Sequence, residues 1–209
     1  MEAILFLIIL FIFLYSTILH EISHGLMADF LGDPTAKLSG RLSLNPLLHL
    51  DPVGSFLLPL FLILMHSSVI FGWAKPVPVN YFNLRDKKYG MAKVALAGPL
   101  ANFLVALIFG TLLRLISFQS SLFFQNLSLI FSEICWINLL LAIFNLVPIF
   151  PLDGSHILFA ILPSKYNNVK IFFIRYQFII LFLFLLFGVS FLGPLINFIF
   201  KLITGTSLL

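Results

Sequence analysis

The sequence predicts an all-α integral membrane protein, a polytopic helical bundle of about five to six membrane segments with a short extended or β segment near its functional site. Of its 209 residues, 61% are hydrophobic and 10% are charged, whereas a soluble domain carries about a quarter charged residues. The apolar residues also form blocks that approach or exceed about 18 residues, the length of a bilayer span. Too little polar surface remains to face water, so we expect a lipid bilayer around the chain.

No repeat, linker or low-complexity segment divides the sequence, so residues 1–209 are expected to form a single domain. The net charge of +4 comes from 12 Lys and Arg against 8 Asp and Glu. The cations lie in loops, as the positive-inside rule predicts, and no basic cluster lies on a soluble domain, so no nucleic acid partner is expected. The single cysteine, Cys135, excludes an intrachain disulfide and a cysteine-rich metal site.

The first apolar block predicts a helix from Ala3 to Leu31, with Gly32 as its stop and Pro34 beyond. We expect this helix to be retained rather than removed as a signal peptide. Glu2 is the only early charge, so a basic leading region is missing, and the apolar stretch exceeds the usual length of a signal sequence.

The next two segments are less regular. The apolar block Gly54–Ile70 contains Pro59, and Phe71–Asn80, which reads FGWAKPVPVN, favours extended backbone over helix. The remaining predicted elements are helices at Ala92–Ile116 and Ser128–Val147, a turn at Asp153-Gly154 followed by a short helix to Leu162, and a span at Ile171–Leu192 that Gly193-Pro194 separates from an apolar tail.

The sequence His20-Glu21-Ile22-Ser23-His24 is an HExxH motif within the first predicted helix. Four residues of α-helix turn through about 400°, so the two imidazoles project from one face and can share a tetrahedral Zn²⁺. Glu21 points about 100° away, where it can act as general base towards water that the metal activates. A chance match is the alternative, but three ionisable groups at bilayer depth need a compensating partner, and a metal is the natural one.

A catalytic zinc usually takes three protein ligands, so one is missing from this motif. The extended motif of soluble enzymes does not supply it, because Met27 and Phe30 stand at the positions of its glycine and third histidine. The candidates are His49, Asp51, Glu133, Asp153 and His156. We favour Asp153, which follows the exit end of an apolar helix on proline-broken backbone, at a depth that matches the histidines; the alternative for Asp153 is a simple surface turn.

These segments resemble the site-2 protease family of intramembrane zinc metallopeptidases over residues 15–160. The resemblance is carried by HEISH, DPVG at 51–54, FGWAKPVPVN, AGPLANF at 97–103 and NLVPIFPLDG at 145–154. It implies one Zn²⁺ per chain held by His20, His24 and Asp153, with Glu21 as the catalytic base. It also implies that Asn145 lies near the active site and contacts the substrate or oxyanion. The sequence shows no PDZ-like insertion and no nucleotide-binding regulatory module, so we expect the compact type.

The implied activity is hydrolysis of peptide bonds within or near transmembrane segments of membrane proteins. We expect a multi-pass protein of a prokaryotic inner membrane, with a homo-oligomer as a further possible assembly. The extended segment 71–80 could pair with an unwound substrate strand by β-augmentation. Two other functions stay open: an intramembrane metal or ion transporter, and an inactive zinc-bound scaffold. Internal repeats typical of transporters are missing from the sequence, and a scaffold has no use for Glu21.

The other polar residues have expected structural roles. His49 and Asp51 should orient a loop rather than form a second metal site or support the first one from outside. His156, three residues after Asp153, could lie near the zinc, but we favour a surface position. Glu133 and Asn138 should satisfy each other or neighbouring backbone.

The topology follows from the third ligand. For Asp153 to meet the histidines, the block at 54–70 should be re-entrant, the basic loops at 85–93 and 165–175 should share the cytoplasmic side, and the N-terminus should lie outside.

Overall fold

The computed structural model describes residues 2–57, 60–61, 64–65, 75–116 and 121–206. Its α-helices are α1 (Glu2–Phe30), α2 (Thr35–Leu38), α3 (Gly90–Ile116), α4 (Leu122–Asn145), α5 (Asp153–Ile161), α6 (Asn167–Arg175), α7 (Gln177–Leu183) and α8 (Val189–Thr204). Short 3₁₀ turns occur at Pro46–Leu48, Tyr81–Asn83 and Ser164–Tyr166, and π-helical turns at Pro52–Leu57 and Phe184–Gly188.

Four helical segments in the described ranges are long and apolar enough to cross a membrane: Ile4–Phe30, Gly90–Ile116, Leu122–Asn145 and Gln177–Thr204. The chain is therefore a multi-pass, all-α membrane protein. Five to six segments stays a prediction, as does a β segment, because no strand is assigned within these same ranges.

The first three spans form a bundle in which α3 runs antiparallel to α1 and α4, so that α1 and α4 are parallel as predicted. Hydrogen bonds fix this register. The Asn102 amide of α3 donates to the Ser16 carbonyl of α1 at 3.2 Å and to Asn138 Oδ1 of α4 at 2.8 Å. About two turns earlier in α3, the Val94 carbonyl meets His24, so the start of α3 lies beside the end of α1.

The segment between α1 and α3 leaves and returns at one face of the bundle. The Arg85 N–H donates to the Leu31 carbonyl at 2.9 Å, and Leu84 and Val94 bury themselves against Ala28. The intervening chain therefore makes no net crossing of the bundle, which is what a re-entrant block at 54–70 requires. Re-entry itself stays a prediction, because most of residues 58–74 lie outside the described ranges.

The C-terminal span packs on α3 and α4 through apolar contacts. Leu192, Ile196, Phe200 and Ile203 join Cys135, Ala106, Leu113 and Leu139 in one buried cluster. Gly110 admits this close approach, since a Cβ there would lie 2.5 Å from the Ile203 side chain.

Two predicted boundaries are wrong. Gly193-Pro194 does not separate a span from a tail, because α8 continues through Pro194 to Thr204. Pro194 lies inside the helix, and spanning helices tolerate such prolines because local adjustments and neighbouring groups can satisfy the freed carbonyl. Asp153-Gly154 is not a turn before the short helix but the first two residues of α5. The turn is formed upstream, where the Leu152 N–H donates to the Ile149 carbonyl at 2.8 Å.

Candidate metal centre

Three side chains predicted as metal ligands meet beyond the end of α4. His20 and His24 lie one turn apart on α1, and Asp153 is the first residue of α5. Asp153 Oδ2 lies 3.0 Å from His20 Nε2 and 3.3 Å from His24 Nε2, and one ligand atom from each residue lies within 4.8 Å of the others. The two imidazole rings stand at 88° to each other, and both place Nε2 within 3.3 Å of the carboxylate.

The outward nitrogens of both imidazoles face hydrogen-bond acceptors. His20 Nδ1 lies 2.5 Å from Asn102 Oδ1, and His24 Nδ1 lies 2.7 Å from the Val94 carbonyl. The Asn102 NH₂ group is engaged by two other acceptors, so its oxygen must face His20. Each Nδ1 therefore carries the proton, which leaves both Nε2 lone pairs directed inward.

Two Nε2 lone pairs and a carboxylate oxygen thus face one another in a buried space. His20 is 6% exposed and His24 is 9% exposed, and the Asp153 side chain is 17% exposed. Acceptors so placed repel each other unless a cation lies between them. Two imidazoles and a carboxylate are the donor set of many catalytic zinc sites, so the residues present fit Zn²⁺.

Asn102 links the site to the bundle interior, and sequence reasoning missed it. It is fully buried, as are Asn138 and, nearly, Ser16. Asn138 Nδ2 donates to Ser16 Oγ, and Asn138 Oδ1 accepts from Asn102 Nδ2, both at 2.8 Å. The sequence feature that could have identified it is the single amide side chain in the apolar segment AGPLANF, one helical turn after Gly98. Buried amides in spans need partners, and this one contacts His20, a candidate ligand.

Two glycines let backbone approach the site. A Cβ on Gly98 would lie 2.6 Å from both His20 Nε2 and His24 Nε2, so α3 can pass the histidines only without a side chain. A Cβ on Gly154 would lie 2.2 Å from the Leu146 carbonyl oxygen. Gly154 therefore lets the start of α5 pack against the end of α4, which places Asp153.

Glu21 lies between the two candidate histidines in sequence but outside the group that they form with Asp153. Its Oε2 accepts the Val77 N–H at 2.8 Å. Val77 in turn packs on α1 at Gly25, where a Cβ would meet Val77 Cγ1 at 2.9 Å. The irregular segment 75–80 thus lies along the face of α1 that carries Glu21, as the prediction of an extended segment near the site requires.

Asn145, predicted near the active site, bonds its own helix. Its Nδ2 donates to the Leu141 carbonyl at 3.0 Å. His156 is half-buried rather than on the surface, with its ring 5.8 Å from that of Phe150. Burial lowers the pKa of His156, against the opposing negative charge of Asp153.

The remaining polar residues stabilise loops and helices. His49 is buried with Nε2 2.7 Å from the Ser43 carbonyl, and Asp51 Oδ1 accepts the N–H groups of Val53 and Gly54. These contacts orient a loop, as expected. Asn138 bonds Ser16 and the Ile134 carbonyl rather than Glu133. The expected bond from Asn138 to neighbouring backbone is therefore present, whereas residues five apart on a helix point about 140° from each other, which disfavours a direct pair with Glu133.

Comparison with known proteins points to peptidases. The model of peptidase family M50 matches residues 111–186. A Bacillus subtilis protein provisionally named a zinc metalloprotease, YwhC, is 39% identical over 149 residues, which cover 69% of this chain and 64% of that protein. The Methanocaldococcus jannaschii zinc metalloprotease MJ0392 is 34% identical over 96 residues, 45% of this chain and 27% of that protein.

A third relative, Rip2 of Mycolicibacterium smegmatis, is also provisionally named a zinc metalloprotease. It is 29% identical over 152 residues, covering 71% of this chain and 55% of Rip2. The chain thus spans less than two thirds of the length of each of these relatives. No solved structure matches the chain.

Proposed function

The chain belongs to peptidase family M50, and from that premise we propose that it is an intramembrane zinc metalloprotease that hydrolyses peptide bonds in or near transmembrane segments of membrane proteins. The observation that carries the proposal is the convergence of His20 Nε2, His24 Nε2 and Asp153 Oδ2 beside Glu21. A scissile bond in lipid needs a site at the depth of the bilayer, and two of the ligands lie on a spanning helix.

In the proposed mechanism, His20, His24 and Asp153 hold one Zn²⁺ per chain. Bound zinc supplies Lewis-acid chemistry, polarising the scissile carbonyl and making water more acidic. Glu21 accepts the proton of the attacking water and delivers it to the leaving amine. The Val77 N–H holds one carboxylate oxygen of Glu21, which orients the base. Asn102 and the Val94 carbonyl keep the histidines in the tautomer that presents Nε2.

The substrate must unwind locally, because a helix hides its scissile carbonyl in backbone hydrogen bonds. Strand pairing with residues 75–80 is restricted, however. The N–H of Lys75 donates to His49, that of Val77 to Glu21 and that of Asn80 to Asp33, while the two prolines have none. These backbone groups are therefore engaged within the chain, and β-augmentation along 71–80 stays a prediction.

Asn145 is a candidate for contacting the substrate carbonyl. Its amide is satisfied by Leu141 in the structure, so this role requires a rotation of the side chain. We further propose that residues 1–209 act as one domain in a prokaryotic inner membrane, with basic loops on the cytoplasmic side; a homo-oligomer is compatible with this arrangement.

A transporter and an inactive scaffold are the other functions considered from the sequence. Neither gains support from the family or from the relatives, which carry peptidase names. A transport pathway also needs polar residues that continue through the bundle. Here a series of buried, hydrogen-bonded side chains runs from Asp153 through His20 to Asn102, Asn138 and Ser16. These side chains bond each other instead of lining a channel.

The decisive experiment compares the wild type with Glu21→Gln on a synthetic transmembrane peptide in neutral detergent. We expect the variant to keep about one zinc per chain and to lose about a hundredfold to ten-thousandfold in turnover, the usual contribution of a general base. Chelation should abolish wild-type cleavage, and added zinc should restore it.

Asp29→Asn is the matched control, because it removes an acid from the same helix without touching the ligands; Asp29 pairs with Lys37. Cleavage by Glu21→Gln at the wild-type rate would overturn the role of Glu21. Cleavage that survives full removal of zinc would overturn the proposal as a whole.

A further inference from the structure

We propose that Arg41 is a positioning residue for the catalytic base, acting through the peptide group between Pro76 and Val77. The inference rests on the proposed function of Glu21. The N–H of that peptide group is the one that binds Glu21 Oε2 at 2.8 Å. The C=O of the same peptide group accepts a hydrogen bond from Arg41 Nη2 at 3.2 Å. One rigid peptide plane therefore joins the guanidinium to the carboxylate.

Arg41 holds more than one carbonyl. Its Nη2 also donates to the Lys75 carbonyl at 2.9 Å, and its Nη1 donates to the Leu48 carbonyl. The planar fork of a guanidinium can bridge adjacent carbonyls in a fixed orientation, which an ammonium cannot do. The chain immediately before Val77 is thereby held against the loop that contains residues 46–49.

The position of Arg41 is itself fixed by local backbone. The short helix α2 ends in a Schellman motif, in which Gly40 adopts a left-handed φ of 67°. The Gly40 N–H donates to the Lys37 carbonyl at 3.0 Å and the Arg41 N–H to the Ala36 carbonyl at 2.9 Å. This motif turns the chain so that Arg41 follows α2 at a defined place.

A second anchor lies on the other side of Val77. Asp33 is fully buried, and its Oδ2 accepts the Asn80 N–H at 2.6 Å while Oδ1 accepts from Asn83 at 2.9 Å. Hydrogen bonds to Arg41 and to Asp33 thus hold the chain on the two sides of Val77. Of these two, only the bond to Arg41 involves the same peptide group that donates to Glu21. The positive charge also polarises that peptide, which strengthens the N–H as a donor.

The test uses Arg41→Gln, which removes the charge and the fork, and Arg41→Lys, which keeps only the charge. Arg85→Gln is the matched control, because Arg85 lies on the same face, where its side chain covers Gly32. For each protein we would measure bound zinc, kcat and KM on the transmembrane peptide, and amide hydrogen exchange of residues 75–83.

For Arg41→Gln we expect kcat to fall about tenfold to hundredfold, as misplacement of a catalytic group by about 1 Å does. Bound zinc should be unchanged and KM should stay within about twofold, because the lost interaction acts on the base and not on substrate binding. The Val77 amide should exchange about tenfold faster, as expected for a lost hydrogen bond. Arg41→Lys should recover part of both effects, and Arg85→Gln should match the wild type.

Three outcomes would overturn the proposal. They are an unchanged kcat in Arg41→Gln, an unchanged exchange rate at Val77, and a loss of zinc that accounts for the lost activity, which would make Arg41 a purely structural residue. If the wild type cleaves no peptide at all, the proposed function fails instead, and the exchange rates alone decide whether Arg41 holds the peptide that binds Glu21.

Discussion

The site-bearing bundle of α1, α3 and α4 and the C-terminal span Gln177–Thr204 lie in the same membrane but are held together differently. In the bundle, buried polar side chains contact each other across helices, as Asn102 does with Asn138 and with His20. The C-terminal span joins through apolar side chains such as Ile196 and Phe200. Its buried Thr204 bonds the Phe200 carbonyl of its own helix instead of another span.

The difference matters because apolar contacts tolerate small shifts and hydrogen bonds between helices do not. Lipid tails are as apolar as Phe200, so packing there carries little register information, whereas an amide within a span must meet a particular partner. We infer that the bundle fixes the candidate metal centre and that the C-terminal span mainly supports the bundle. Matched substitutions in the two regions should therefore differ most in their effect on zinc.

The largest effect is expected from removing Asp153, the proposed ligand that lies far from the two histidines in sequence. Asp153→Ala leaves two imidazoles and no carboxylate, so we expect zinc affinity to fall by more than about a hundredfold, beyond what loss of an outer hydrogen bond causes. Zinc content by mass spectrometry would measure this. Asp86→Ala removes a carboxylate from the same face, where Asp86 pairs with Lys93 at 2.7 Å, and should keep its zinc. Full zinc occupancy in Asp153→Ala would rule out Asp153 as a ligand.

The next effect compares two glycines within spans. Gly98→Ala places a Cβ 2.6 Å from both ligand nitrogens, whereas a Cβ on Gly193 meets nothing within 4 Å. We expect Gly98→Ala to weaken zinc binding by about a hundredfold, since either α3 or the histidines must move. Gly193→Ala should bind like the wild type. Equal affinities in a zinc titration of the two variants would show that α3 does not pass the site as closely as described.

A smaller effect is expected from the hydrogen bond behind His20. Asn102→Ala should weaken zinc binding about tenfold to hundredfold, the usual range for the partner of a metal-bound histidine. It also leaves the Asn138 amide without one of its partners. Asn197→Ala on the exposed side of α8 is the control and should change neither zinc affinity nor thermal stability. If both variants behave alike, the polar network does not organise the site.

The sequence alone predicts those features that are set within a single helix. The four-residue spacing of His20 and His24 determines their shared face wherever the helix lies, and the apolar lengths predict most spans. The prediction that Asp153 joins the two histidines required one further assumption, namely that residues at the same depth in the bilayer lie close together. The parallel arrangement of α1 and α4 then followed from that assumption.

Contacts between elements could not be predicted in this way. Gly98, Asn102 and Arg41 act through the register of α3 and of segment 75–80 against α1, which tertiary packing sets. Local rules also failed at Gly193-Pro194, where a break typical of loops lies inside α8. A proline inside a spanning helix removes one backbone hydrogen bond, but local adjustments and neighbouring groups can satisfy the freed carbonyl, so the helix continues.

The smallest expected effect concerns pH. Burial alone would raise the pKa of Asp33, but hydrogen bonds from Thr35, Asn83 and Asn80 prevail and hold it below its ordinary value of 3.8. The ionised carboxylate therefore stabilises the fold above that value, and this contribution is lost as the pH falls through the lowered pKa.

The C-terminal span has no Asp or Glu in residues 177–204, so we expect acid to act on the two regions unequally. Below pH 3.8, amide protection at residues 80–83 should fall before that at residues 192–203. Asp33→Asn should remove this pH dependence and show low protection at 80–83 at neutral pH as well, because a neutral amide offers only one acceptor oxygen where the carboxylate offers two. Hydrogen exchange read at both segments across a pH series would measure the order. Simultaneous loss in the two regions would mean that the bundle and the C-terminal span unfold as one unit, and the contrast between them would then concern packing alone.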